Sequence, residues 1–326
     1  MQVCDRFRLL FFGSDAFSIR VLQPLLDRRL CPVQIVTKPH SLLDSFSRKQ
    51  NLTRHHWHTG LSGIEDGTFN IGLVASFGQL IDPVTVGRFQ FGLFNTHPSL
   101  LPQFRGSTPI QAAVLNGLQQ TGCTIMRIPP VQKFDVGEIV DQRALAIRQG
   151  EYAIELRDRL ADLGSIMVID FLLNYELYLS RARPQGDQGK SLARKLKLEQ
   201  GRLEFKLETA SVIERKILAY TGSIELYTSC LGGLRVRLSS FQSLNSVKRL
   251  QLDRLTSNLL GQTEWTSEPG SMYFHKLRNL LCFKSADHQW VAFAHATPEG
   301  KAQMDAADFF NGYLSKIHPA NRMTDI

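Results

Sequence analysis

The 326-residue chain has no apolar run of membrane length, since its most hydrophobic stretch, residues 171–179, is broken by Asn174 and Glu176. A membrane-spanning class is therefore excluded. Its five cysteines, Cys4, Cys31, Cys123, Cys230 and Cys282, are odd in number and widely spaced, and no C-x-x-C occurs. That argues against a disulfide framework and against a cysteine zinc site, and it suits a reducing compartment. Gly13-Ser14-Asp15 follows the first apolar run without forming G-x-G-x-x-G, so a dinucleotide site is not expected. Internal repeats, low-complexity tracts and a polybasic tail are all lacking. The net charge of +8 is spread over both halves and favours an anionic partner without naming one. Hydrophobic residues at 43% and charged residues at 21% leave room for a packed core and exclude disorder, and the length predicts two domains.

The first half alternates in the βαβ manner. RLLFF (residues 8–12) reads as a strand, followed by a helix to about Arg29 that Ser14 or Asp15 caps and that Pro24 should kink or interrupt. Residues 33–37, 71–76, 92–95 and 124–128 read as further strands. The segment between the strands at 33–37 and 71–76 is polar, with Arg48, Lys49, Arg54, His55, His56 and His58. A long helix follows Tyr152, with Leu156, Leu160, Leu163, Met167 and Phe171 as its core stripe. Arg183-Pro184-Gln185-Gly186-Asp187-Gln188-Gly189 is a loop signal and a domain boundary. Beyond it lie basic residues from Lys190 to Lys206, one helix near 209–220, and short strands at 234–238, 271–275 and 290–295 that suggest a small barrel. Arg235 and Arg237 fall on the solvent face of the alternating strand 234–238.

The densest chemical signal is Gly92-Leu93-Phe94-Asn95-Thr96-His97-Pro98-Ser99-Leu100-Leu101-Pro102, followed by Arg105-Gly106 and Pro109. An apolar strand ends in Asn95 and His97 at alternate positions, so both side chains leave the same face of the sheet. The carboxyl end of a strand is where open α/β sheets bind ligands. The strand at 124–128 leads to Phe134-Asp135-Val136-Gly137, which brings Asp135 toward the same place. These residues resemble the formyltransferase family that uses 10-formyltetrahydrofolate, whose catalytic Asn, His and Asp fall on Asn95, His97 and Asp135. The resemblance extends through Phe11-Phe12-Gly13-Ser14-Asp15, Val74-Ala75-Ser76-Phe77-Gly78, Gly122-Cys123-Thr124-Ile125-Met126, Lys195-Leu196-Lys197, Pro269-Gly270-Ser271 and Asp308-Phe309-Phe310-Asn311-Gly312-Tyr313. The second domain with its linker is similar to the members acting on methionyl-tRNA, and Lys133-Phe134-Asp135-Val136-Gly137 to their mitochondrial branch. Two departures concern the wall of the site: Gln103-Phe104-Arg105-Gly106 where bacterial members carry Arg-Trp-Arg-Gly, and Ser107-Thr108 where small apolar residues are usual.

The resemblance implies a Rossmann-like α/β catalytic domain (1–185), a basic linker (186–206) and an OB-like β-barrel tRNA-binding domain (207–326). It implies formyl transfer from 10-formyltetrahydrofolate to initiator Met-tRNA, with no metal and no membrane, by a monomer in the mitochondrial matrix. The seven residues ahead of Arg8 include Asp5 and are too few for a transit peptide, so no clear presequence accompanies that expectation. Asn95 and a protonated His97 would hydrogen-bond the formyl oxygen as charge grows there, and Asp135 would favour the imidazolium or relay protons. Phe77, Gly78, Ser99, Leu100, Pro102 and Asp135 are the expected folate contacts, with residues 128–136 as a further wall. Arg48, Lys49, Lys190, Arg194, Lys195 and Lys197 are the tRNA candidates. His55, His56 and His58 read as a solvated loop in preference to a metal site, because no acidic or cysteine ligand accompanies them. Cys123 reads as core. Two other functions compete: transfer to a different amine, on a sugar nucleotide or glycinamide ribonucleotide, and a silent RNA-binding relative of the fold. Formation of tetrahydrofolate separates the last from the others.

Overall fold

The computed structural model describes residues 6–57, 61, 64–131, 133–243, 247, 268–317 and 321–325. The chain divides into two compact units, residues 1–113 with 118–195, and residues 114–117 with 196–326. Up to Lys195 the elements are β1 (Leu9–Gly13), α1 (Ala16–Asp27), β2 (Val33–Thr37), α2 (Leu42–Lys49), β3 (Arg54–His56), β4 (Ile71–Ala75), α3 (Pro83–Gly87) and β5 (Leu93–His97). They continue with β6 (Arg105–Gly106), α4 (Pro109–Leu115), β7 (Gln120–Arg127), β8 (Ile139–Ala146), α5 (Ala153–Leu173), α6 (Tyr175–Ser180) and β9 (Leu192–Ala193). Seven strands make one Rossmann-like sheet in the order β3-β2-β1-β4-β5-β7-β8. It is parallel as far as β5 and antiparallel through β7 and β8.

The sequence dictates this centre. Every residue of β1 (LLFFG) and β4 (IGLVA) is buried, as strands covered on both faces require. From β1 the chain moves outward to β2 and β3, then returns to place β4 on the other side, so the order reverses between β1 and β4. Such a reversal leaves a crevice beyond the carboxyl ends of the two strands. The turn after β1 is fixed by a reciprocal cap: Asp15 accepts from the Ser18 N–H, and the Ser18 hydroxyl accepts from the Asp15 N–H. Pro24 neither ends nor interrupts α1, which continues to Asp27 with Val21, Leu22 and Leu25 buried on both sides of it. Only the last turn follows the proline, so little of the hydrogen-bond ladder is lost.

The long helix α5 buries Leu156, Leu160, Met167 and Phe171, with Leu163 half-buried. Its Gly164 faces β5, where an added Cβ would lie 2.9 Å from Thr96 Cγ2. Thr96 thus points at the helix while Asn95 and His97 point the other way, and the close approach fixes the height of β5. The polar segment after β2 is more ordered than its composition predicts. Its α2 buries Leu43, Asp44 and Ser47, and β3 pairs with β2 at the sheet edge. The expected linker 186–206 also carries structure. Leu192–Ala193 pair in parallel with Arg105–Gly106, and a 3-10 turn spans Leu198–Gly201.

The second unit holds α7 (Ala210–Tyr220), β10 (Tyr227–Cys230), β11 (Leu234–Gln242), β12 (Met272–His275), β13 (Leu280–Lys284), β14 (Trp290–Pro298), β15 (Met304–Asp305) and α8 (Ala306–Phe309). Thr209 caps α7 by accepting from the Val212 N–H. The strands form an antiparallel sheet, β10-β11-β14-β13-β12, with β15 on β14. Met323 bridges to Ser271 and Thr324 to Cys230, so the C-terminal segment links both edges of the sheet and closes it as a small barrel. Phe205 and Phe283 stack in its core with Phe293 edge-on to both, and Cys230 and Cys282 are buried there. Along β11 Val236 and Leu238 face inward, Arg237 faces solvent, and half-buried Arg235 lies 3.8 Å over the Tyr227 ring. Among the described residues no helix is long and apolar enough to cross a membrane.

Candidate active site

The carboxyl ends of β1, β4 and β5 open on a cavity of about 650 Å3, within the range of small-ligand sites. Ser14 and Asp15 enter it from the turn after β1, and Ser76, Phe77 and Gly78 from the turn after β4. The two turns are tied together, because the Ser14 hydroxyl donates to the Phe77 carbonyl and the Ser76 hydroxyl to the Asp15 carboxylate. Ser76 and Gly78 take positive φ (+50° and +67°), and the backbone there doubles back around the cavity. Val74, Phe77, Ile81, Met126 and Ile128 supply an apolar floor. Lys38 and Arg194 bring cations to the lining.

Asn95, His97 and Asp135 meet on the wall of this cavity. Asp135 is 8% exposed and His97 4% exposed, so neither is screened by bulk water. The Asn95 amide nitrogen donates to Asp135 Oδ1 at 3.1 Å, and the Gly106 N–H donates to Asp135 Oδ2 at 2.9 Å. His97 Nε2 lies 3.1 Å from the Phe104 carbonyl. A carbonyl only accepts, so Nε2 carries a hydrogen and Nδ1 is the nitrogen left facing Asp135 Oδ1, 3.6 Å away. Asp135 sits at φ +53° and Phe104 at φ +56°, left-handed conformations that L-residues occupy only when their surroundings impose them.

The loop between β5 and β6 braces the site from behind. Ser99 is fully buried and its hydroxyl donates to the Gln103 carbonyl at 2.6 Å, while its own carbonyl accepts from Thr124. Pro102 follows a cis peptide bond, and its carbonyl accepts from the Ser191 N–H. Ser99, Leu100 and Pro102 are not among the residues lining the cavity, unlike Phe77, Gly78 and Asp135. From the 128–136 wall, Ile128, Val131, Lys133, Phe134 and Asp135 do line it. Lys38 and Gln185 are additions that the sequence did not point to, and Arg105 gains a role it was not given there. Arg105 was visible as part of Arg105-Gly106, whereas Lys38 and Gln185 carried no signal beyond being polar.

The six basic candidates are all exposed. Arg194 alone among them lines the cavity. Arg48 is paired 3.0 Å from Asp44, and Lys190 lies 3.8 Å from Asp187. Asp44 is itself buried beneath Arg48, Arg54 and His56, and it also accepts from the His40 N–H. Burial pushes its carboxyl up, but the hydrogen bonds from His56 and His40 and the charge of Arg48 outweigh that and hold it at about 2. His55 contacts Gln34 at 2.7 Å, so the two described histidines of this cluster engage different partners, and His58 lies outside the described residues. Among the described residues no group of histidine, cysteine or acidic side chains could hold a metal ion. Cys123 is buried in the core, where desolvation pushes its thiol far above the ordinary range.

Comparison with known proteins bears on this constellation. Residues 64–172 match the family model described as formyl transferase, and residues 195–314 the model of the formyl transferase C-terminal domain. The chain is 31% identical to the mitochondrial methionyl-tRNA formyltransferase of Homo sapiens, over 96% of this chain and 79% of that protein. It is 26% identical to the methionyl-tRNA formyltransferase of Lactiplantibacillus plantarum, over 95% and 96%. Among solved structures, HypX from Aquifex aeolicus in complex with tetrahydrofolic acid shares the fold, with a TM-score of 0.62 at 16% identity. That match covers 95% of this chain, which spans about half (48%) of the HypX chain. The chain is thus a formyltransferase: it belongs to the formyl transferase family, in the branch of the methionyl-tRNA formyltransferases.

Proposed function

We propose that the chain transfers the formyl group of 10-formyltetrahydrofolate to the amino group of methionyl-tRNA, acting as a monomer in the mitochondrial matrix and supplying formylmethionyl-tRNA for initiation. The observation that carries this reading is the meeting of Asn95, His97 and Asp135 on one cavity wall at the carboxyl ends of the central strands. The cavity suits a folate, being large enough at about 650 Å3, with an apolar floor for a fused ring and glycine backbone at Gly78 for close approach. Phe77, Gly78 and Asp135 would hold it, with Ser99, Leu100 and Pro102 shaping the loop behind. Bound there, it supplies an activated formyl carbon to the incoming amine.

The chain's own residues then divide the work. Asn95 has two N–H groups, and one is committed to Asp135. The other is free to donate to the formyl oxygen, which gains negative charge as the new C–N bond forms. That charge is stabilised by a donor already in place, with no reorganisation at the moment of reaction. The attacking amine must lose a proton, and the nitrogen that departs with the folate must gain one. His97 Nδ1 and the Asp135 carboxylate are adjacent groups able to take the first and return the second. Exposed Leu80, Val131, Phe134 and Leu192 rim the cavity and would keep water from the reacting groups.

The second unit and the basic residues Arg48, Lys49, Lys190, Arg194, Lys195 and Lys197 would serve the acceptor. Their charge would hold tRNA phosphates, with Arg194 at the cavity where the aminoacyl end must enter. The test is to supply the purified chain with 10-formyltetrahydrofolate and one amine acceptor at a time: Met-tRNA, an amino-sugar nucleotide, glycinamide ribonucleotide. Tetrahydrofolate should form with Met-tRNA. Its formation only with a small acceptor would overturn the choice of substrate, and its absence with all of them would leave a silent binder.

A further inference from the structure

We propose that Gln185 is a positioning residue for formyl transfer, the closing link of a hydrogen-bonded ring that fixes Asp135 at both ends. The inference rests on the reading of Asn95, His97 and Asp135 above and extends it to a segment expected to be a mere boundary between domains. One end of the ring is the carboxylate, where Asp135 Oδ2 accepts from the Gly106 N–H at 2.9 Å. The residue before that glycine, Arg105, is buried and directs its guanidinium to Gln185 Oε1 at 3.1 and 2.6 Å. Gln185 Nε2 then donates to the backbone carbonyl of Asp135 at 3.1 Å and to that of Gly137 at 2.7 Å. The ring returns to the residue where it began.

This arrangement uses both hydrogens and both lone pairs of the amide, so Gln185 has one orientation. Its own backbone is tethered nearby, because Arg183 and Ile139 exchange hydrogen bonds of 2.8 and 3.0 Å. Asp135 needs such a clamp because its backbone is left-handed, at φ +53°, and would relax toward an ordinary conformation if the turn were released. Relaxation would swing Oδ1 away from Asn95 and His97. The same segment steadies His97 less directly, as the Ser191 hydroxyl accepts from the N–H of Phe104, whose carbonyl receives His97 Nε2.

Two substitutions separate positioning from bulk stability. Gln185→Leu removes all four contacts, and Gln185→Glu keeps the acceptor for Arg105 while removing both donors to the carbonyls. With Met-tRNA and 10-formyltetrahydrofolate, kcat should fall roughly 10–100-fold in each, the scale of a misplacement near 1 Å, with KM for Met-tRNA nearly unchanged. In Gln185→Glu the loss should shrink as pH is lowered, because the introduced carboxyl regains a donor when protonated. A kcat equal to wild type in either variant overturns the inference, as does a pH-independent loss in Gln185→Glu. Asn95→Ala, measured alongside, tells the two failures apart. If it stays fully active, the reading of the site is wrong. If it is inactive while both Gln185 variants turn over normally, the site stands and only the role of Gln185 falls.

Discussion

Gly137 lets the Asp135 turn exist, because a Cβ at that position would lie 1.6 Å from the Arg127 carbonyl oxygen and 2.8 Å from its carbon. Both are backbone atoms of Arg127, which pairs with Phe94 of β5 and donates its N–H to the Glu138 carbonyl, so neither can yield cheaply. Gly137→Ala should destabilise the protein by about 2 kcal/mol or more, the scale of overpacking in a closed site, and should lower turnover by moving Asp135. The urea midpoint checks this, and an unchanged midpoint would show that the turn adapts. At this scale the sequence was informative only where chemistry and spacing coincide. Asn95 and His97 were legible because alternate positions on a strand share a face. Gln185 was not, because its partners are carbonyls 50 and 48 residues away and backbone acceptors leave no trace in residue type. Ser99, Leu100 and Pro102 were read as contacts of a ligand; they do not line the cavity, and they hold the loop through bonds to Gln103 within it and to Thr124 and Ser191 outside it.

Strands and helices were legible in proportion to how fully they are buried. The uniform runs LLFFG and IGLVA announce β1 and β4. In β8, IVDQRALA buries only its first residues and alternates weakly, so its sequence looks like loop. The three residues of β3 (RHH) gain strand geometry from pairing with β2 and not from propensity. The element α2 was hidden for a different reason. Its polar residues are gathered around one buried carboxylate, Asp44, which organises Arg48 on the helix with Arg54 and His56 on β3. That carboxyl sits at about 2 in the fold against an ordinary 3.8, so the folded state holds its proton less tightly than the unfolded chain. The resulting stability is present above pH ~4 and is lost as pH falls through about 2. Asp44→Asn should therefore cost on the order of 2 kcal/mol at neutral pH, with the gap from wild type closing between pH ~4 and ~2. Denaturant titrations at several pH values check this, and a gap that does not change with pH would contradict it.

The whole molecule joins an α/β unit carrying the cavity to a β-rich unit closed by the chain's last residues. Length and the loop at 183–189 were enough to anticipate two units. The boundary was harder to read, because basic composition suggested a free linker, while residues 192–193 are bound into a small sheet with β6 and the division falls at Lys195. This matters for function, since the segment that leaves the catalytic unit also touches its site through Gln185 and Arg194. The account rests at its centre on Asn95 as the donor to the formyl oxygen. The most direct test is the single-turnover rate of formyl transfer from 10-formyltetrahydrofolate to Met-tRNA, with both saturating, for wild type and Asn95→Ala. The account predicts a fall of about 10²–10³-fold with tetrahydrofolate release falling in step, the usual effect of losing one oxyanion donor. A rate in Asn95→Ala equal to that of wild type would contradict it.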